Sequence, residues 1–367
     1  MFVAWRDLRF AKGRFALIGS VVALITLLVG FLSGLTGGLA SQNVSGVLDL
    51  PADQIVFSQP KTDTSNGPSF ADSAITKAQA DSWSTAGDVS ASVPIGISQT
   101  RAQAGSAGTG DAQSSGTQAS VALFGVGAGF AGDHPAADGQ LVLSQGAATA
   151  LGVAAGDPVT IAGTEYIVES VGGDAWYSHT PVVYQTLHDW QSYSAATGNT
   201  GAYATVLAVT GAPDWTAENA AAGTTSQTPL GSLTAIGSFR SEIGSLLMMV
   251  ALLFGISALV IGAFFTVWTM QRKGDIAVLK ALGASTGSLV RDALGQAFVV
   301  LLVGVGVGIG AVALLGSLAG AALPFILSPF TTILPAVLLI AAGLAGAAFA
   351  LRSVTSADPL TALGSNR

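Results

Sequence analysis

The residues with the most chemistry in this chain stand together at the head of an apolar run: Arg240, Glu242, Met248 and Met249. An acid beside a membrane-length apolar block is costly unless it is paired or functional. Glu242 and Met249 are seven apart and share one helix face, with Leu246 between them, while Met248 sits about 100° further round. A carboxylate and a thioether are both ligand groups, and Arg240 offers a cation to an anionic partner. Apart from Met1, the chain has only Met248, Met249 and Met270. The plainer reading is that Arg240 and Glu242 mark an interface, while the methionines face lipid or fill gaps, as methionine commonly does.

Other chemistry is scarce. There is no Gly-Lys dipeptide, so the phosphate loop G-x-x-x-x-G-K-[ST] cannot be built. Cysteine is absent, which removes disulfides and C-x-x-C sites. His134, His179 and His188 lack metal-ligand spacing, and His188-Asp189 is expected on a solvated helix face. No catalytic residue and no intrinsic cofactor or metal is expected. Energy for any work must come from another chain or an ion gradient.

A second informative segment covers residues 271–284, Gln-Arg-Lys-Gly-Asp-Ile-Ala-Val-Leu-Lys-Ala-Leu-Gly-Ala. Ile276, Leu279 and Leu282 fall at helical spacing, with Asp275 and Lys280 among them, and Gly283 can end the helix. Such a short amphipathic helix either docks into a groove on a soluble partner or rests on lipid.

The elements that must position these residues are long and apolar. Half of the residues are apolar, 10% are charged and the mean hydropathy is +0.60. The apolar residues concentrate in four blocks, 15–39, 243–269, 294–323 and 333–351, each long enough to cross a hydrocarbon core of about 30 Å. The reading is an integral membrane α-helical protein with four transmembrane helices and an α/β extracytoplasmic domain inserted between helices 1 and 2. Its parts are an N-terminal segment (1–14), helix 1 (15–40), the inserted domain (41–238), helix 2 (239–271), a cytoplasmic coupling loop (272–291), helix 3 (292–323), an extracellular loop (324–332), helix 4 (333–352) and a tail (353–367).

Charge orients the chain. Residues 1–14, 272–292 and 352–367 together carry ten cations and four acids, a net +6. Residues 49–242 carry four cations and seventeen acids, a net −13. Short positive segments stay in the cytoplasm, so both termini are expected inside and the acidic segment outside a cell membrane. The low pI thus belongs to the outer domain, and nothing points to nucleic acid. A cleaved signal peptide is the rival reading of the N-terminus, but the first apolar run is about 25 residues against ~7–15 for a signal core.

In the outer segment, alternating or β-rich runs predict strands at 54–58, 92–97, 121–126, 140–144, 158–161, 165–171, 182–184 and 205–209. Helices are expected over 69–82 and 145–151. Residues 102–120 read as a flexible connector and 219–234 as a polar linker into helix 2. In helix 3, Gly304, Gly306, Gly308 and Gly310 give two small-xxx-small spacings, which mark either a tight helix contact or the ordinary glycine content of membrane helices.

Several of these stretches resemble a known family. Residues 274–284 resemble the "R-E-I-A-V-L-K-A-L-G-A" stretch of FtsX/MacB-like ABC transporter permeases, with Gly274-Asp275 where those proteins usually have Arg-Glu. Ala4-Trp5-Arg6-Asp7-Leu8, with Lys12 and Arg14, is similar to their "A-x-R-N-L…K-x-R" opening. Residues 356–363 are similar to their closing "D-P-x-x-A-L", and residues 148–168 to their "A-x-x-L-G-x-x-x-G-D-x-V-x-I-x-G-x-x-Y-x-V" pattern. The resemblance implies a homodimeric, non-catalytic permease bound to two copies of a separate cytoplasmic ABC ATPase, which binds the ATP. It further implies that the 275–282 helix (Asp275, Ile276, Leu279, Lys280, Leu282), together with Arg6 and Asp7, couples to that ATPase, and that the protein acts as a lever on the outer domain and outer leaflet.

The short outer domain is similar to that of haem-export permeases in this family. Haem is flat and apolar with anionic propionates, and methionine is a well-attested axial ligand. The expected site lies between two second spans, with Glu242, Met249 or Met248 offered to iron and Arg240 to a propionate. Gly237, Gly244, Gly34 and Gly37 are expected to leave room for the ring. Two other readings stand beside it: a transmembrane regulator of a cell-wall hydrolase or sensor kinase, and an exporter of another amphiphile such as a peptide or lipoprotein.

Overall fold

The computed structural model describes residues 12–59, 67–105, 116–199, 201–271, 274, 278, 283–320 and 323–355. The chain divides into two compact units, Leu39–Gly244 on one hand and Met1–Gly38 with Ser245–Arg367 on the other.

The first unit is α/β. Among the described residues, ten strands are hydrogen-bonded in the order β10 (Thr224–Gln227), β1 (Gln54–Ser58), β9 (Val206–Gly211), β2 (Val89–Ala104), β3 (Gln118–Val126), β8 (Thr180–Thr186), β4 (Gln140–Leu143), β6 (Thr164–Val171) and β5 (Pro158–Ile161), with β7 (Trp176–Tyr177) on β8 and the end of β2 also paired to β5. Central strands include β1 (Gln54–Ser58), β2 (Val89–Ala104), β3 (Gln118–Val126), β8 (Thr180–Thr186) and β9 (Val206–Gly211). Pairing is antiparallel except for β3 with β8 and for β4 (Gln140–Leu143) with β6 (Thr164–Val171).

Side chains alternate across the sheet, and both faces are covered, which is why these strands read as near-continuous apolar runs. Ile55, Phe57, Ala122, Phe124, Val182, Tyr184, Val206 and Ala208 join one core with Val44, Val47 and Leu50 from the end of helix α1 (Lys12–Leu48). Their neighbours Val56, Val121, Leu123, Val183, Leu207 and Val209 join the other. Helices α2 (Lys77–Thr85), α3 (Gln145–Leu151) and α4 (Leu187–Ala196) cover that second face.

Local signals set these helices. Thr76 caps α2 in a full capping box with Gln79, and Ser144 caps α3, which stops at left-handed Gly152 (φ 70°). In α4, Trp190 is fully buried against Gly96 of β2 and Gly125 of β3, where a Cβ would collide with its ring.

Three expectations need correction. The helix expected over 69–82 starts only at Lys77, because the Thr76 capping box fixes its first turn. The 102–120 connector is shorter than read: β2 and β3 pair as far as Gln103 with Gln118, and residues 106–115 lie outside the described part. The 219–234 linker is structured. It holds the end of α5 (Trp215–Ala222), left-handed Gly223 (φ 63°), and β10 (Thr224–Gln227), which pairs with β1. Its polar composition suits an edge strand.

The second unit contains the apolar helices. Among the described residues, four candidate spans are present: Phe15–Leu48 in α1, α6 (Gly237–Gln271), α7 (Thr286–Ala319) and Pro329–Leu351 within α8 (Pro329–Thr355). Their interior joins Ile18, Val22 and Val29 of α1 with Ile261 and Phe265 of α6, Leu301 and Val305 of α7 and Leu339 of α8.

Glycine sets how closely these helices approach. A Cβ on Gly304 would fall 2.9 Å from Val22, and one on Gly308 2.8 Å from the Ala23 carbonyl. Gly306 and Gly310 have nothing within 4 Å. Of the two small-residue spacings in helix 3, therefore, one is a contact with α1 and the other faces away from the chain.

Gly34 and Gly37 do not leave room for a ligand. The Phe325 ring fills the space over Gly34, and a Cβ on Gly37 would fall 2.8 Å from Thr331. The chain's own 325–331 stretch takes up the space that the small residues provide.

Candidate functional site

Glu242 sits in the second turn of α6, and three elements of the α/β unit converge on it. The first is the end of α1, which contributes Asn43, 1% exposed. The second is the tight turn between β7 (Trp176–Tyr177) and β8, made by Ser178 and His179. The third is α6 itself, whose Ser238 precedes Glu242 by one turn.

The turn is unusual in composition. Ser178 (φ 50°) and His179 (φ 63°) both occupy the left-handed region, as a two-residue hairpin of mirror-image type requires. Asn-Gly or Gly-Gly normally fills such a turn, because a side chain there costs energy. Here the backbone is held from outside: the Ser178 and His179 amides donate to the Asn43 and Gln42 carbonyls, each at 2.9 Å.

Side chains complete the cluster. Ser238 Oγ donates to Asn43 Oδ1 at 2.7 Å, and Ser178 Oγ lies 2.8 Å from Ser238 Oγ. With Asn43 Oδ1 taken, its amide Nδ2 donates to Glu242 Oε2 at 3.2 Å. His179 Nε2 lies 3.0 Å from Oε2 and 3.2 Å from Oε1 of the same carboxylate, so the proton on Nε2 is the one shared with it. The pair is partly open to solvent, 34% for His179 and 41% for Glu242. Asn43 and His179 thus orient the carboxylate while part of it stays accessible to solvent.

The other expected site residues are distributed differently. Arg240 is exposed on α6, in the same unit as Glu242. Met248 and Met249 fall in the membrane-helix unit and are exposed, 63% and 50%. They do not fill gaps inside the chain. Met248 instead lines a shallow apolar groove along α6 with Ala251, Leu252, Gly255, Ile256 and Leu259. The coupling residues Arg6, Asp7, Asp275, Ile276, Leu279, Lys280 and Leu282 lie outside the described residues.

His179 was not singled out by spacing, since it stands 63 positions before Glu242 and only the β7–β8 turn brings them together. The same is true of His188, whose Nδ1 meets Asp138 Oδ2 at 3.0 Å beside Asp189. That second group is a surface tether: Asp138 also accepts from Thr186, and Asp189 from the Gly139 amide.

Residues 247–359, which span the last three apolar helices, match the model of the FtsX-like permease C-terminal domain. With four helices long and apolar enough to cross a membrane among its described residues, the chain is a multi-pass membrane protein whose last third is similar to FtsX-like permeases.

Among curated proteins, it is 25% identical over 366 residues to one from Staphylococcus epidermidis, with 99% of each chain covered. It is 26% identical over 377 residues to one from Staphylococcus haemolyticus, again over 99% of each. Both carry the name "Putative hemin transport system permease protein HrtB". Among solved structures, the extracellular domain of the transporter YknZ from Gram-positive bacteria aligns at 13% identity and TM-score 0.32, over 48% of this chain and 98% of that one. The periplasmic region of MacB from Actinobacillus actinomycetemcomitans aligns at 13% and 0.35, over 50% and 94%.

Proposed function

We propose that this chain is the permease subunit of an ATP-driven haem exporter, with its substrate site at Glu242. The observation that carries the reading is the Glu242 carboxylate, oriented by Asn43 and His179 yet open, on the helix that continues into an apolar span. The full-length likeness to proteins named as hemin permeases supports the substrate.

In this account the α/β unit lies outside the cell membrane and both termini lie inside, as the charge distribution favours. Two copies pair, each bound to a cytoplasmic ABC ATPase that supplies the ATP hydrolysis. Residues 275–282 with Arg6 and Asp7 receive the ATPase motion, and the first and second spans carry it outward as a lever. Haem enters from the membrane with its apolar ring beside α6. Glu242 ligates the iron, Met248 or Met249 offers a second ligand, and Arg240 pairs with a propionate.

The test is a hemin titration of the purified full-length chain, followed by absorbance. The wild type should give a saturable Soret shift, Glu242→Ala should lose it, and Met248→Ala/Met249→Ala should weaken it. No shift beyond that in detergent alone would remove the haem reading and leave an ABC-type permease with another amphiphilic cargo.

A further inference from the structure

We infer that His179 and Asn43 are positioning residues for the Glu242 carboxylate as a ligand to haem iron, an inference that rests on the haem reading above. A bare glutamate on the first turns of a helix has three side-chain torsions free and loses that freedom when it binds a metal. Here the loss is met in advance. Asn43 Nδ2 donates to Oε2, and the His179 Nε2 proton is shared with both oxygens.

The direction of each donor is fixed by something else. Asn43 is buried, and its Oδ1 accepts from Ser238 Oγ, which leaves Nδ2 facing Glu242 Oε2 and His179 Nε2, each at 3.2 Å. His179 is held by a left-handed turn without glycine, its amide bonded to the Gln42 carbonyl. Strained backbone of this kind persists only where surrounding bonds over-determine it, and such strain clusters at functional sites.

Both donors meet the carboxylate at Oε2, and His179 also reaches Oε1 at the longer 3.2 Å, so the two fix the plane in which the carboxylate is presented. Groups that orient a ligand from behind typically change metal affinity by 10–100-fold when removed.

The experiment compares hemin titrations of the full-length wild type with His179→Ala, His179→Gln and Glu242→Ala, each first checked for an unchanged melting profile. His179→Ala should weaken binding by about tenfold or more and shift the Soret maximum of the bound form. His179→Gln, whose amide can still donate, should restore wild-type affinity to within about threefold and restore the spectrum. His179→Ala that titrates like wild type while Glu242→Ala fails would overturn the positioning role and leave the haem site standing. Failure of His179→Gln to rescue would also overturn it, because the imidazole would then be ligating iron itself. Absence of binding by the wild type would remove the haem reading first, and this inference with it.

Discussion

The two units use the same small residues to opposite ends. In the α/β unit, Gly96 and Gly125 clear a space in which the whole Trp190 indole leaves water. In the membrane unit, Gly304 and Gly308 clear a space for another helix, and Gly346 does the same against Gly262. Water drives the first arrangement, since removing an aromatic surface from it is strongly favourable. Lipid gives no such drive between helices, so contact there depends on close packing.

Exposure tells the same story. Among the described residues, only Leu48, Ile167 and Leu230 are large, exposed hydrophobics in the α/β unit, whereas Leu252, Leu259, Val303, Leu318 and many others are exposed in the membrane unit. The lesson is that an exposed leucine is a defect in one unit and a solvated residue in the other.

Mutations can break this contrast, and the largest effects should come from the watery side. Trp190→Ala should destabilise the α/β unit by about 3–5 kcal/mol, read by thermal or denaturant unfolding. The same leucine-to-alanine change should separate the units: Leu143→Ala, fully buried in β4, should cost about 2–5 kcal/mol, whereas Leu259→Ala, 73% exposed on α6, should leave the melting temperature nearly unchanged. Equal costs would contradict the distinction.

Next comes a pair within one helix. Gly308→Leu should cost about 1–3 kcal/mol by overpacking against Thr26 and Ala23, while Gly306→Leu, with open space around it, should be close to neutral in detergent-solubilised protein.

The smallest expected effect is electrostatic. Partial burial raises the Asp49 carboxyl above its ordinary 3.8. The folded form therefore holds the proton more tightly than the unfolded one, and stability falls as pH rises through the raised value. Asp49→Asn should gain up to about 0.5 kcal/mol at neutral pH, since the residue lies at the surface, and the gain should vanish below pH 3.8. A gain that persists at pH 3 would point to a different cause.

Much of this architecture is written in local sequence. Strands β1, β3 and β8 are buried on both faces, so their apolar runs stand out, and the four long helices declare themselves by length alone. Thr76-x-x-Gln79 and Ser144 mark helix starts that the broader apolar pattern blurred. What stayed hidden is non-local. No spacing brings His179 to Glu242, because a hairpin turn of Ser-His lacks the glycine signal that would have flagged it. The edge strand β10 was masked by its polar composition. The Phe325 ring over Gly34 was equally invisible, since small residues announce space but not its occupant. Around Glu242, the acid's place beside an apolar block was legible in the sequence, and the Asn43 and His179 contacts to it were not.

The most direct test of the functional account is hemin-stimulated ATP hydrolysis by the permease and its ATPase partner reconstituted together in lipid nanodiscs. The account predicts a rate that rises with hemin for the wild type and loses that response in Glu242→Ala. A response of equal size in both, or none to hemin but a strong one to an unrelated amphiphile, would contradict it.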